Sequence, residues 1–275
     1  MSKVYSWEVS DELWTRVEPL VPVRAARAKD QKYQRRPGGG RKPLKSRSVF
    51  AAIVYVLRTG CQWKALPKSF GSATAVHRRF QQWRAAGFFR RLWQAGLAEY
   101  DDLEGIAWEW QSLDGIQGKA PLALEAVGNN PTDRGKKGTK RSLLVDGTGV
   151  PLSLIVSGAN RHDVKLLAET LDSLVIRRPK PTRRCRQNLC ADKGYSGQPA
   201  AAIMRKRGYI PQVRQFGQET KPICGRKQPA RQWRVERTHS WLNRFRKLLV
   251  QHEKKAENYL GLLHCASALI CWRMY

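Results

Sequence analysis

The spacing of apolar residues changes period near residue 104, and that change limits the fold more than any other feature of the chain. Before it the pattern is helical. Leu13, Val17 and Leu20 share one face of a helix that Ser10 can cap, with Asp11 and Glu12 at its positive end. Val49, Ile53 and Val56 repeat the pattern over 46–59, and Gly60 stops it. A third helix is predicted from Ser72 to Arg84 and a fourth from Phe88 to about Glu99, with Gly87 breaking the chain between them. After residue 104 the runs are short and alternating. I-A-W-E-W-Q-S-L-D (106–114) reads as a strand, Ser142–Val145 and 150–158 as a hairpin around D-G-T-G, and N-L-C-A-D (188–192) and Tyr209–Val213 as two more strands. Helices are predicted at 164–175, 199–207, 236–250 and 258–274. The expectation is a small all-helical domain over 1–103, followed by a mixed α/β sheet flanked by helices over 104–275.

Charge narrows the partner. Lys and Arg number 51 against 22 Asp and Glu, a net charge of +29. Lys and Arg fall mainly in 1–100 and 176–250, with 20 in each, and only 8 lie in 101–175. Such a chain suits a polyanion, and nucleic acid is the natural one because Lys and Arg displace counterions from phosphates. A basic, Gly- and Pro-rich loop at 24–45 cannot bury a core and reads either as a linker or as an arm ordered by DNA. No apolar run reaches the roughly 18 residues of a membrane span, and the N-terminus has no signal-peptide core. The six Cys are irregularly spaced without a C-x-x-C pair, which argues against zinc and fits a reducing cytoplasm.

Helix, turn, then a basic helix carrying His77, Arg78, Arg79, Gln82 and Arg84 is the outline of a helix-turn-helix reader of double-stranded DNA. Trp63, Trp83, Trp108 and Trp110 read either as stacking platforms for bases or as core.

Within this basic background, three acids stand out. Between Ile176 and Val250 only Asp192, Glu219 and Glu236 are acidic. Asp114 falls at the end of the first predicted strand, Asp192 at the end of the fourth, and Glu236 at a helix start. Carboxylates gathered without a neutralising base between them call for a cation, and hard oxygen ligands favour magnesium, with manganese able to substitute. Two such ions roughly 3.5–4 Å apart can activate a water or a 3′-hydroxyl and stabilise a leaving oxygen. Lys119, Arg134, Lys136, Lys137, Lys140 and Lys193 lie near the acids in sequence and can hold phosphates; Tyr195, His162 and His239 are auxiliary candidates. Asp146 reads as a turn former and Asp163 as the cap of the helix beginning at Val164.

The segments S-L-D-G-I-Q-G-K-A-P (112–121), P-T-D-R-G-K-K-G-T-K-R-S-L-L-V-D-G-T-G-V-P-L (131–152), A-N-R-H-D (159–163), A-D-K-G-Y-S-G (191–197) and V-E-R-T-H-S-W-L-N-R-F-R-K-L (235–248) resemble the DDE transposases of bacterial insertion sequences, in the IS-five group. L-R-T-G-C-Q-W-K-A-L-P (57–67) is similar to that group's helical N-terminal domain. The resemblance implies a ribonuclease-H-like core, two magnesium ions, and cleavage and strand transfer at terminal inverted repeats by a homodimer on DNA. It matches Asp114, Asp192 and Glu236 to the catalytic acids. The neighbouring IS-four group carries a Tyr and an Arg before the Glu and a base seven residues after it; here those places hold Pro229, Gln232 and Asn243. Arg234, Arg237 and Arg244 are candidates for the missing positive charge, and spacing does not choose among them. A silent DNA-binding regulator and a structure-specific nuclease are the competing functional classes.

Overall fold

The computed structural model describes residues 5, 7–23, 43–213 and 232–274. Nearly all of the basic loop at 24–45 lies outside the described residues, as do Glu219 and Pro229.

Four helices form the N-terminal part: α1 (Asp11–Val17), α2 (Ser46–Thr59), α3 (Ala73–Ala85) and α4 (Phe88–Leu103). The Ser10 side chain accepts from the Leu13 amide at 3.2 Å, and Gly60 ends α2 in the left-handed conformation (φ 75°). Two short 3-10 turns, Trp63–Ala65 and Lys68–Phe70, separate α2 from α3. Trp63 does not extend into solvent as a stacking platform. It packs against His77 and Phe80, and its Nε1 donates to Glu253 at 3.0 Å. Trp83 is buried as well.

The sheet contains β1 (Trp110–Lys119), β2 (Gly128–Asn129), β3 (Lys137–Val145), β4 (Pro151–Gly158), β5 (Asn188–Ala191) and β6 (Ile210–Val213). Its order is β4-β3-β1-β5-β6, with β2 also pairing β3. β3 is antiparallel to both β1 and β4, while β5 and β6 run parallel to β1. Three antiparallel strands continued by two parallel ones make the ribonuclease-H-like sheet. Helices α5 (Asp163–Asp172), α6 (Gln198–Lys206), α7 (Trp233–Asn243) and α8 (Ala256–Cys271) complete the described fold.

Three of the departures from the expected boundaries bear on the site. β1 continues five residues past Asp114, so this acid is mid-strand; the pairing that stops beside it is that of β5, which ends at Ala191. The polar stretch 131–140 is not all loop, because Lys137–Lys140 already belong to β3. α7 begins three residues before Glu236 and ends at Asn243, giving way to a 3-10 turn at Arg246–Leu248 where Lys247 is buried against Glu253.

α4 and α8 lie against each other, and their contact joins the helical part to the sheet. Gly96 of α4 lets the backbones approach: a Cβ there would sit 3.4 Å from the Ala268 carbonyl oxygen and the Cys271 Cβ. Trp93 donates from Nε1 to the Pro151 carbonyl at 3.0 Å, and Trp272 donates to Glu99 at 2.8 Å. One apolar core therefore runs from Val17 and Phe50 through Trp93 and Leu262 to Leu144 and Leu189.

Candidate active site

The two faces of the sheet have different work. Alternation along β1 and β3 places Asp114 beside Leu143 and Arg141 on the side covered by α7, and Gly115, Lys140 and Ser142 on the side covered by α5. Leu113 pairs with Ala191 in the parallel register, so Asp114 on β1 and Asp192 just past the end of β5 are the next residues along. Glu236 sits exposed in the first turn of α7, which packs on β1 and β3. The half-buried Asp114 carboxyl is pushed up to about 7, chiefly by burial, and the charges of Asp192, Glu236 and Asp163 add to the rise while the Gly115 amide opposes it. Four carboxylates thus share one electrostatic neighbourhood.

Asp192 caps the short 3-10 turn Lys193–Tyr195, its Oδ1 accepting from the Gly194 amide at 2.8 Å. Tyr195 is buried beneath it, and burial followed by the charges of Asp163, Asp114 and Asp192 keeps its phenol protonated. His239 is buried on α7 against the Asp114 main chain, with neither ring nitrogen in hydrogen-bond geometry. Burial, then the charge of Arg141, lowers its pKa to about 3, so the ring is neutral. His162, not Asp163, caps α5, its Nδ1 accepting from the Val164 amide at 3.4 Å.

Asp163 is the member of this cluster that sequence reading misassigned. Its carboxylate lies directly over Gly115: a Cβ added there would come within 2.5 Å of Oδ1. Its partner is Lys140, at 3.0 Å, whose Nζ also donates to the Arg161 carbonyl at 2.8 Å. Lys140 is buried and cannot present its charge to DNA as expected, because the period of β3 turns it inward. The A-N-R-H-D motif carried the only available signal for Asp163.

The other basic candidates divide. Arg78, Lys119, Arg134, Lys136, Lys137, Lys193 and Arg244 are exposed. Arg79 is half-buried. Arg84 is turned toward α8, where it pairs with Glu257. Arg237 donates to the Thr148 carbonyl and lies over Trp233 and Trp241, 4.6 Å from each ring, so it braces the 146–149 turn. Asp146 does form that turn, accepting from the Thr148 amide, the Val150 amide and the Ala107 amide at 2.8–3.0 Å. A base missed in the sequence is Arg141, buried on β3, whose Nη2 donates to Asn243 at 2.8 Å. It brings positive charge to the helix position that holds no base of its own.

Family models match most of the chain. Residues 9–93 match a model described as "Putative transposase of IS4/5 family". Residues 114–271 match one described as "Transposase DDE domain". The chain belongs to the DDE transposases. Among relatives of this transposase, the "Putative transposase for insertion sequence element IS402" of Burkholderia cepacia is 36% identical over 149 residues, covering 53% of this chain and 68% of the relative. A second protein of the same organism, "Insertion element IS402 uncharacterized 16.2 kDa protein", is 33% identical over 125 residues, covering 45% of this chain and 80% of the relative. The catalytic domain of Mos1 mariner transposase is 10% identical with a TM-score of 0.30, covering 68% of this chain and 91% of that one. The Mos1 mariner paired end complex with Mn is 11% identical with a TM-score of 0.29, covering 88% and 82%.

Membership in this family implies a divalent metal ion. Among the described residues no group of three His, Cys, Asp or Glu side chains stands close enough to hold an ion as placed. The donor set nevertheless fits one by type and charge: every candidate ligand is a hard carboxylate oxygen, and their mutual repulsion at Asp114 is what a hard divalent cation relieves. Among the described residues no helix is long and apolar enough to cross a membrane.

Proposed function

We propose that this transposase binds the terminal inverted repeats of an insertion sequence and catalyses DNA cleavage and strand transfer, with Asp114, Asp192 and Glu236 as its catalytic acids. The observation that carries the reading is the placement of Asp114 on β1 under the helix that bears Glu236, with Asp192 one residue past the end of the adjoining β5, where burial first and the neighbouring carboxylates second push the Asp114 carboxyl up to about 7.

In this reading the three carboxylates hold divalent magnesium, two ions in all, and manganese substitutes. When bound, the metal supplies Lewis acidity to the phosphorus centre and lowers the pKa of a nucleophilic hydroxyl. The remaining work falls to the chain. Lys119, Arg134, Lys136 and Lys137, exposed at the end of the β1–β3 ladder, and Lys193 beside Asp192 hold the phosphodiester backbone. Water oxygen attacks phosphorus at the transposon end, the bond to the 3′ oxygen breaks, and a 3′-hydroxyl and a 5′-phosphate result. That 3′-hydroxyl then attacks a target phosphodiester, forming one ester bond as another breaks and releasing a target 3′-hydroxyl. The helical part, residues 1–103 by the division proposed here, presents Arg78 of α3 to the repeat, and two chains act on paired ends.

The test is nicking of a duplex carrying the DNA that flanks the gene, with magnesium, manganese or chelator. Metal-dependent cuts at the repeat ends, lost in Asp192→Ala, support the reading. Equal cutting of random duplex replaces it with a nuclease, and repeat binding without metal-dependent cutting replaces it with a regulator.

A further inference from the structure

A second basic site lies at the far end of α7 from Glu236. Arg58 of α2, Arg244 at the C-terminus of α7 and Arg273 just after α8 line one cavity of about 240 Å³ with Trp241, Phe245 and Met274. None of these three arginines has a carboxylate partner among the described residues. The Arg58 guanidinium lies 3.8 Å over the Phe245 ring, and its Nε is buried without a hydrogen-bond partner. Burial comes first in lowering its pKa, to about 10, and the charges of Arg273 and Arg244 push the same way. Three like charges aimed at one apolar-walled space are mutually repulsive, and that repulsion reverses when an anion enters. The cavity has room for roughly eight waters at about 30 Å³ each, more than one phosphate group needs.

We propose that this pocket is a phosphate site that takes one backbone phosphate of the DNA strand passing the carboxylates. The proposal rests on DNA as the substrate. A net charge of +29 supplies the complementarity, and guanidinium forks match phosphate oxygens in pairs. Glu236 and Arg244 are eight residues apart, about 12 Å along a helix at 1.5 Å per residue. A strand that follows α7 therefore meets both. The pocket is built jointly by α2, α7 and α8, so the phosphate it grips sets the N-terminal helices and the carboxylates in one register on the DNA.

The experiment is a methylphosphonate scan of the terminal-repeat duplex with the full chain, Arg273→Gln and Arg58→Gln. Arg273 is exposed, so its variant folds even if the Arg58 change does not. In the wild type, neutralising one particular phosphate weakens binding; in Arg273→Gln that single penalty disappears while the others persist. The slope of log Kobs against log salt falls by about 1, the share of one phosphate. Unchanged penalties and an unchanged slope overturn the proposal. So does loss of self-association in the variant with DNA contacts intact, which assigns the pocket to an acidic side chain of a second copy. Absence of metal-dependent cutting by the wild type counts against the transposase reading alone, because the phosphate map is read from binding.

Discussion

Replacing Lys140 by Met separates two accounts of this residue by opposite outcomes. As an exposed phosphate contact, its loss would leave stability within about 0.5 kcal/mol of wild type and reduce the salt dependence of DNA binding by about 1. The structure predicts the reverse. The Lys140 side chain is 4% exposed and its Asp163 partner 31%. Removing one member of a buried pair costs about 3–5 kcal/mol because the other charge is stranded. Water reaches part of Asp163, so the figure is discounted to about 2–3 kcal/mol. The Arg161 carbonyl also loses its donor, at 2.8 Å. Urea unfolding at pH 7 measures the effect, and salt-titrated binding to duplex DNA runs beside it. Lys140→Met combined with Asp163→Asn leaves no stranded charge, so it recovers part of the loss, with a coupling of about 0.5–3 kcal/mol. Wild-type stability in Lys140→Met together with a reduced salt slope would refute the inward assignment.

Two further outcomes concern the same cluster, and a third concerns α1. Gly115→Ala places a methyl 2.5 Å from the Asp163 carboxylate; it costs about 1–3 kcal/mol, and in urea midpoints its effect is not additive with Lys140→Met. The Asp114 carboxyl has a folded pKa raised from 3.8 to about 7. A raised carboxyl pKa means its contribution is fully favourable below pH 3.8 and is lost as pH rises through 7, a change of at most about 4 kcal/mol. In EDTA, Asp114→Asn therefore gains stability over wild type between pH 4 and pH 8; parallel curves across that range would contradict it. Ser10→Ala removes the cap of α1 and lowers stability by about 1 kcal/mol, read from the same urea curves.

The helices were the most legible part of the chain. α2 could be read to the residue because its apolar positions hold a 3.6 period and Gly60 marks the one left-handed residue that ends it. The ribonuclease-H-like core was implied by the resemblance; strand pairing is a long-range property that spacing does not reveal. Asp114 was misplaced to a strand end because G-I-Q-G-K after it has little strand propensity, yet its antiparallel ladder with β3 runs on to Lys119 and holds it extended. Lys137–Arg141 looked like loop for a similar reason: charge disguises the alternation of a strand whose inward bases are satisfied by Asp163 on one side and Asn243 on the other. Asp114, Asp192 and Glu236 were visible as scarce acids in a basic chain. Asp163 was visible only as a helix-start residue, because its closeness to Gly115 depends on a helix folded across the sheet.

The seam between α4 and α8 has a mechanical meaning. Trp93, on the helical side, is anchored to Pro151 of the sheet, and Trp272, beyond the last helix, is anchored to Glu99 of the fourth. The first hundred residues and the last twenty are thus clamped together across the polypeptide. A fragment ending near residue 104 would expose Phe89, Leu92, Trp93 and Leu97, and the remainder would expose the apolar flank of α8. Neither half is an interchangeable module. Exchanging the helical part of such a protein by grafting would require recutting this seam, so in the function proposed above recognition and chemistry are constrained to evolve as one solid piece.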